Sequence, residues 1–277
     1  MFLPIRLIAT DFDGTLHADF EHPPVPVDLQ SMIGQLQAFG AFWIINTGRD
    51  LSSLVETLAQ ACLAIRPDFV VVVEREIYCR LGSQYVGLEQ WNRGCSLAHQ
   101  ELFASMRPDV PRLTGWVHAH FQAQVYEDAY SPFCLLAENN DDADAIHDYL
   151  NSYCQSAANL VVVRNGIYAR FSHQAYNKGT ALGEIARRLG VSSEHILAAG
   201  DDFNDLPMLS RQYARWLVAP FNAIQEVKET VLRQRGYVSH QPFGSGVARG
   251  LESALEATAF LRHLKLNADV PQIRLTN

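Results

Sequence analysis

Leu7-Ile8-Ala9-Thr10-Asp11-Phe12-Asp13-Gly14-Thr15 runs from an apolar stretch directly into two carboxylates two residues apart. The apolar residues read as a buried strand, and Gly14 with Thr15 breaks it into a turn that carries a hydroxyl. An ionised carboxylate is costly to desolvate unless a cation or hydrogen bonds compensate it. Two of them at the exit of a buried strand therefore need an explanation. The structural one is a polar strand end, an Asx-type turn closed by Gly14. The chemical one is a nucleophilic aspartate, Asp11, an acid/base aspartate, Asp13, and a divalent cation that holds the pair together. At average residue usage Asp-x-Asp-Gly-Thr arises by chance in about one chain in a few hundred of this length. The choice therefore rests on the remainder of the chain.

Three later segments supply what the first lacks. Asn46-Thr47-Gly48-Arg49 follows the apolar run Phe42-Trp43-Ile44-Ile45, so it too lies at a strand exit. Thr47 offers a hydroxyl, and the amides around Gly48 precede a helical pattern beginning near Leu51, a natural anion site. Read alone, the segment is a simple helix start with Thr47 or Asp50 as N-cap. Asn177-Lys178-Gly179-Thr180 opens a second helix, Ala181–Leu189. A lysine there opposes the helix dipole, which is expected if an anion sits in front of it. Gly200-Asp201-Asp202-Phe203-Asn204-Asp205 follows the run His195-Ile196-Leu197-Ala198-Ala199 and gathers three carboxylates at another strand exit. A helix cap needs only one.

Together the four segments provide carboxylates for a hard cation, a hydroxyl and amides for phosphate oxygens, and an ammonium for charge. Magnesium shares phosphate oxygens with one or two carboxylates in this way. Phosphoryl transfer asks for an in-line nucleophile and neutralised equatorial oxygens.

In these motifs, in this order, the chain resembles the phosphatase branch of the haloacid dehalogenase superfamily. The long stretch between the second and third motifs looks like the α/β cap of class IIB, as in Cof-type and sucrose-phosphatase-like enzymes. Ala219-Pro220-Phe221-Asn222-Ala223 and Gly246-Val247-Ala248 also resemble that group. The resemblance implies Asp11 as nucleophile and metal ligand, and Asp13 as acid/base with its backbone carbonyl on magnesium. It further implies Thr47 and Lys178 on the phosphate, with Gly48, Arg49 and Asn204 at the substrate. Asp201 becomes a metal ligand, and Asn204 and Asp205 orient the metal site. One departure stands out. Cof-type members carry an Asn-Gly pair after the third strand, where this chain has Glu74-Arg75-Glu76-Ile77-Tyr78. Glu76-Ile77-Tyr78, followed by Trp91, looks more like the sucrose-phosphatase side.

A chain of 277 residues exceeds the usual single-domain size. The net charge of −8 argues against nucleic acid or an anionic membrane as partner, and leaves a small phosphate ester, whose local field a metal and Lys178 would set. Five cysteines without Cys-x-x-Cys spacing point to reduced thiols in a cytoplasmic protein, monomeric or homodimeric. No apolar run is long enough to span a bilayer.

Strands and helices alternate from the start: strand Ile5–Thr10, helix Asp28–Phe39, strand Phe42–Asn46, helix Leu51–Ala61, strand Phe69–Val73. Continuous Val/Ile runs suit a parallel sheet buried on both faces. The rhythm lapses between about Leu81 and Arg170 and resumes at Gly179. We therefore expect an α/β fold: a doubly wound parallel sheet core, residues 1–80 and 172–277, with an inserted α+β cap, residues 81–171. Val117–Tyr126 reads as a cap strand, putting His118 and His120 on one face as candidates for contact with the non-phosphate part of the substrate. A last helix is expected over Val247–His263. A phosphatase is the leading reading. A phosphotransferase or mutase on the same scaffold, or a catalytically silent binding protein, are the alternatives.

Overall fold

A computed structural model describes residues 3–261. The chain opens with β1 (Leu7–Thr10), α1 (Val27–Ala38), β2 (Phe42–Asn46), α2 (Leu51–Gln60) and β3 (Phe69–Val72), then a hairpin of β4 (Glu76–Leu81) and β5 (Gln84–Gly87). The insert contributes α3 (Glu89–Met106), α4 (Val110–His120), β6 (Ala123–Tyr126), β7 (Cys134–Ala137), α5 (Asn140–Cys154), β8 (Leu160–Asn165) and β9 (Tyr168–His173). The chain then returns through α6 (Lys178–Leu189), β10 (Ile196–Ala199), β11 (Trp216–Ala219), α7 (Gln225–Arg233), β12 (Tyr237–Val238) and α8 (Phe243–Ala257).

The core is a sheet of order β12-β11-β10-β1-β2-β3-β4-β5, parallel except for the edge hairpin. β1 pairs in parallel with both β2 and β10, so the chain winds outward in both directions from it. A doubly wound sheet places its ligand site at the carboxyl ends of the strands, beside that switch point. The apolar runs follow from double burial. Ile8, Trp43, Ile45, Val70 and Val72 pack on one face with Leu29 and Ile33 of α1 and Leu251 of α8. Leu7, Ala9, Ile44, Phe69 and Val71 pack on the other with Leu182 of α6 and Val227 of α7.

The insert builds its own antiparallel sheet, β6-β7-β9-β8, with a separate core. Leu113 and Val117 of α4 and Ile146 and Leu150 of α5 cover Leu135, Ala169 and Phe171 on one face. Because side chains alternate along a strand, Arg170 and Ser172 of β9 emerge on the opposite face, and they meet Glu74 and Arg75 of the core.

Three expectations change. β5 still belongs to the core sheet and β9 runs to His173, so the boundaries at 81 and 171 both fall within paired strands. Residues 117–120 end helix α4 instead of starting a strand. The local alternation of Val117, Ala119 and Phe121 imitates a strand, but Pro111 sits in the first turn of a helix. Within that helix Trp116 and His120 stack one turn apart, with ring centroids 4.6 Å apart. The last helix begins at Phe243, whose amide donates to Asn222 Oδ1 at 2.7 Å, and ends at Ala257. Its expected end at His263 lies outside the described residues.

The returning half of the chain completes the core. Leu251→Ala, at a fully buried position on α8, should cost about 2–5 kcal/mol. Leu232→Ala on α7, where the side chain is 58% exposed, should change stability by less than about 0.5 kcal/mol. Urea unfolding of both variants measures the contrast.

Candidate active site

The four motifs converge at the carboxyl ends of β1, β2 and β10 and the start of α6. Asn177 caps α6 through Oδ1, which accepts from the amides of Gly179 at 2.9 Å and Thr180 at 3.0 Å. This capping fixes Lys178 as the first residue of the helix and turns its side chain into the protein. The ammonium is completely buried and donates to Asp11 Oδ1 and to Asp205 Oδ1, both at 2.6 Å. Asn46 Nδ2 holds the Lys178 carbonyl at 2.9 Å from the end of β2.

Asp205 is used completely. Its Oδ2 accepts from the amides of Asp201 at 2.7 Å and Asp202 at 3.1 Å, which folds the acidic loop around it. Thr15 donates to Asp201 Oδ1. Gly14, at φ +80°, has to be glycine twice over. An L residue disfavours that backbone, and a Cβ would lie 2.5 Å from Asp201 Oδ2. Asn222 Nδ2 holds the Gly14 carbonyl at 2.7 Å.

Oxygens of Asp11, Asp201 and Asp205 lie within 4.8 Å of one another. Three carboxylates and one ammonium leave two negative charges without a partner when all are ionised. The strain shows in the acids. Burial, then the neighbouring Asp205 and Asp201 charges, raises Asp11 well above the usual carboxylate range even though Lys178 opposes them. Burial and Asp205 push Asp201 up to about 7. Among the described residues no protein donor meets Asp11 Oδ2 or Asp201 Oδ2. Oxygen-only donors with a charge deficit of this sign suit a hard divalent cation.

Thr47 is buried at the end of β2, where its hydroxyl accepts from the Arg49 amide at 3.2 Å. Arg49 differs from expectation. Its Nε and Nη2 grip Asp13 Oδ2 and Oδ1 at 2.7 and 2.6 Å, and its Nη1 donates to Thr57 at 2.7 Å and Ser53 at 3.3 Å. The guanidinium thus serves Asp13 and is not free for a phosphate. Asn204 Nδ2 is engaged by Glu74 Oε1 at 2.9 Å, which leaves its Oδ1 without a protein partner. His118 and His120 are exposed on α4, in the layer on the far side of the cap sheet from Asp11. They do not join the site.

Two neighbours of the site went unread in the sequence. Glu74, at φ +67° in the loop after β3, pairs with Arg170 Nη2 of the insert at 3.0 Å. Its carboxylate comes within 3.3 Å of the position a Cβ on Gly48 would take. Burial raises Glu74, but Arg170 and Lys178 outweigh it and hold the acid below its ordinary value. The departure from Asn-Gly was the available signal for Glu74. Nothing in the sequence pointed to Arg170, ninety-six positions away. The Trp91 indole donates to the Arg75 carbonyl at 2.7 Å, and its neighbour Asn92 binds Ile77 of the Glu76–Tyr78 segment, accepting from the amide at 2.8 Å and donating to the carbonyl at 3.0 Å.

With that geometry established, the likeness to known proteins has a physical basis. A family model for haloacid dehalogenase-like hydrolases matches residues 118–241, which include the lysine and acidic motifs. The chain is 24% identical over 267 residues to a 5-amino-6-(5-phospho-D-ribitylamino)uracil phosphatase of Bacillus subtilis, covering 89% of this chain and 94% of that one. Over residues 118–241 the chain thus carries the pattern of the haloacid dehalogenase-like hydrolases. A phosphoglycolate phosphatase of Methanothrix thermoacetophila is 31% identical over 130 residues, 46% of this chain, which spans about half (54%) of that relative's length. The fold, cap included, matches the sucrose-phosphatase of Synechocystis sp. PCC6803 with a TM-score of 0.65 at 20% identity, covering 95% of this chain and 99% of that one. These likenesses support a phosphatase with a class IIB cap. Among the described residues no helix is long and apolar enough to cross a membrane.

The crowded acids make a pH prediction. Asp201 is raised, so the folded protein holds its proton more tightly than the unfolded chain does. Its contribution to stability is full below about pH 4 and is lost as pH rises through about 7. In chelator at pH 7.5, Asp201→Asn should therefore stabilise the protein, by on the order of 2 kcal/mol. The gain should shrink toward pH 5. A melting temperature that is unchanged or lower at pH 7.5 would show that this acid is not destabilised by its neighbours.

Proposed function

We propose that this hydrolase is a magnesium-dependent phosphatase that cleaves a small, sugar-like phosphate monoester through a phosphorylated Asp11. One observation carries the reading: Asp11, at the β1 exit, is fixed at 2.6 Å by a buried ammonium and grouped with the acids of a second strand exit. A metal-free dehalogenation would leave that acidic group without a task.

An Asp11 carboxylate oxygen attacks phosphorus, and the bond from phosphorus to the leaving oxygen breaks. Asp13 gives its proton to that oxygen, then takes one from the water that attacks the phosphorylated Asp11, releasing phosphate. The Thr47 hydroxyl, the Gly48 amide and Lys178 receive the phosphoryl oxygens. Arg49, bonded to both Asp13 oxygens, orients the acid/base group. Because Arg49 holds both Asp13 oxygens, the pair opens as the leaving oxygen arrives. Asp11, the Asp13 carbonyl and Asp201, with Asp205 behind them, would hold a magnesium ion, which would supply neutralisation of the phosphoryl charge.

Support for a small substrate comes from the insert. Its β8–β9 turn reaches the acidic loop, where the Gly166 amide donates to Asp202 Oδ2 at 3.0 Å and Arg164 stacks over Phe203 at 4.7 Å. A cap seated this closely excludes bulk water and bars a macromolecule. The names of the relatives, a ribityl phosphate and phosphoglycolate among them, point to small phosphorylated metabolites.

Asp11→Asn should abolish turnover of p-nitrophenyl phosphate while the protein stays folded. Retention of wild-type kcat, with deamidation excluded by mass, would remove Asp11 as nucleophile. Exhaustive chelation should stop the reaction and magnesium restore it. Asp13→Asn should slow alkyl phosphates by about 10²–10⁴-fold. The first step with p-nitrophenyl phosphate, whose leaving group needs no acid, should suffer less. Equal losses in both would rule out the acid role.

A further inference from the structure

Where core and cap meet above the phosphate loop, three buried polar groups form a chain: Asn204 from the acidic loop, Glu74 from the loop after β3, and Arg170 from cap strand β9. Asn204 Nδ2 donates to Glu74 Oε1 at 2.9 Å, and Arg170 Nη2 donates to Glu74 Oε2 at 3.0 Å. Exposure is 6% for Asn204, 6% for Glu74 and 3% for Arg170. Buried polar atoms are almost always paired. Yet the outer atom at each end of this chain has no partner: Asn204 Oδ1, an acceptor, and Arg170 Nε, a donor.

The location gives these two atoms a purpose. Glu74 borders Gly48 of the phosphate loop and lies within electrostatic reach of Lys178. Arg170 lies on the cap face turned away from the cap's own core, the face that looks onto the site. A leaving group attached to a phosphate between Thr47 and Lys178 has to pass this junction. An acceptor and a donor flanking one carboxylate match a hydroxyl, which gives one hydrogen bond and takes another.

Charge narrows the choice further. A bare buried guanidinium would attract a second anion. Here Glu74 neutralises Arg170 before any substrate arrives. Arg75, the other buried arginine nearby, is engaged by the Tyr130 carbonyl at 2.8 Å and Ser172 Oγ at 3.3 Å, and has Glu74 and Glu76 as countercharges.

We infer that Glu74, Arg170 and Asn204 form the leaving-group subsite, selecting an uncharged hydroxyl-bearing phosphate ester and rejecting one with a second anionic group. The inference rests on the phosphatase reading above. In it, Arg170 and Asn204 contact the leaving group. Glu74 is a positioning residue that also screens the Arg170 charge.

The test measures kcat/KM, with magnesium, for sorbitol 6-phosphate, 2-phosphoglycolate and p-nitrophenyl phosphate. The variants are Glu74→Gln, Arg170→Met and the doubly neutral Glu74→Gln/Arg170→Met, and thermal unfolding checks that each is folded. Wild type should prefer sorbitol 6-phosphate to 2-phosphoglycolate. Arg170→Met should lower sorbitol 6-phosphate by about tenfold relative to p-nitrophenyl phosphate, the scale of one charge-assisted hydrogen bond. Glu74→Gln, which uncovers Arg170, should shift the ratio toward 2-phosphoglycolate by at least about tenfold. The double variant should cancel that shift, and it remains informative if a single variant with one unpaired buried charge fails to fold. A wild-type preference for 2-phosphoglycolate, or equal losses on all three esters in every folded variant, overturns the subsite. Absence of turnover on all three by wild type, with magnesium present, instead overturns the phosphatase reading and the subsite with it.

Discussion

The Lys178 ammonium between Asp11 and Asp205 is the contact on which the rest of the arrangement depends. A fully buried charge is tolerated only with close partners, and removing one partner of such a pair costs about 3–5 kcal/mol. The two carboxylates come from different strand exits, β1 and the loop after β10. The lysine comes from the first turn of a helix that the insert separates from both β1 and β2. Bringing these groups within 2.6 Å of one nitrogen fixes the relative position of three segments at once. The β1–β10 pairing, the Asn177 cap and the folding of the acidic loop around Asp205 all serve that one position.

The insert is held differently. Its apolar core is separate from both faces of the main sheet. Polar contacts cross the junction: Glu74 with Arg170, Arg75 with Ser172, and Asp202 with Gly166. Polar junctions between separate cores allow relative motion. Asp11, Thr47 and Lys178 are all at most 4% exposed, and in the proposed reaction such motion would open a path to them. Burial strengthens every charge interaction within the closed site, and that same burial raises the acids when no cation balances them.

Most of the core was legible because its chemistry is local. Apolar runs of four or five residues, each ending in a polar motif, mark parallel strands and their exits in one step. Lys178 was betrayed by its wrong sign for a helix start. The cap was harder for an equally physical reason. Its strands are short and its helices carry little apolar stripe, so Val117–Phe121 imitated a strand and drew His118 and His120 with it. Arg49 shows a second limit: motif position says that a guanidinium is near the phosphate, not that Asp13 has already claimed it. Arg170 shows a third. Its partner is ninety-six residues away, and only the fold joins them.

The loop after β3 joins the phosphate site to the cap. Val73 and Glu74 stand at φ +45° and +67°, a region that side chains with a Cβ disfavour by about 1–3 kcal/mol each. A glycine or asparagine would sit there with less strain. The chain holds the conformation through backbone bonds to the phosphate loop: Val73 N to Arg49 O at 2.8 Å and Glu74 N to Thr47 O at 2.9 Å. These bonds make the two loops one unit, so the Glu74 carboxylate is positioned by the same residues that would grip a phosphate. In the proposed reaction a strained acid welded to the phosphate loop, and paired with the cap's buried arginine, would couple three things. They are the state of the phosphate site, the charge presented to the leaving group and the seating of the cap.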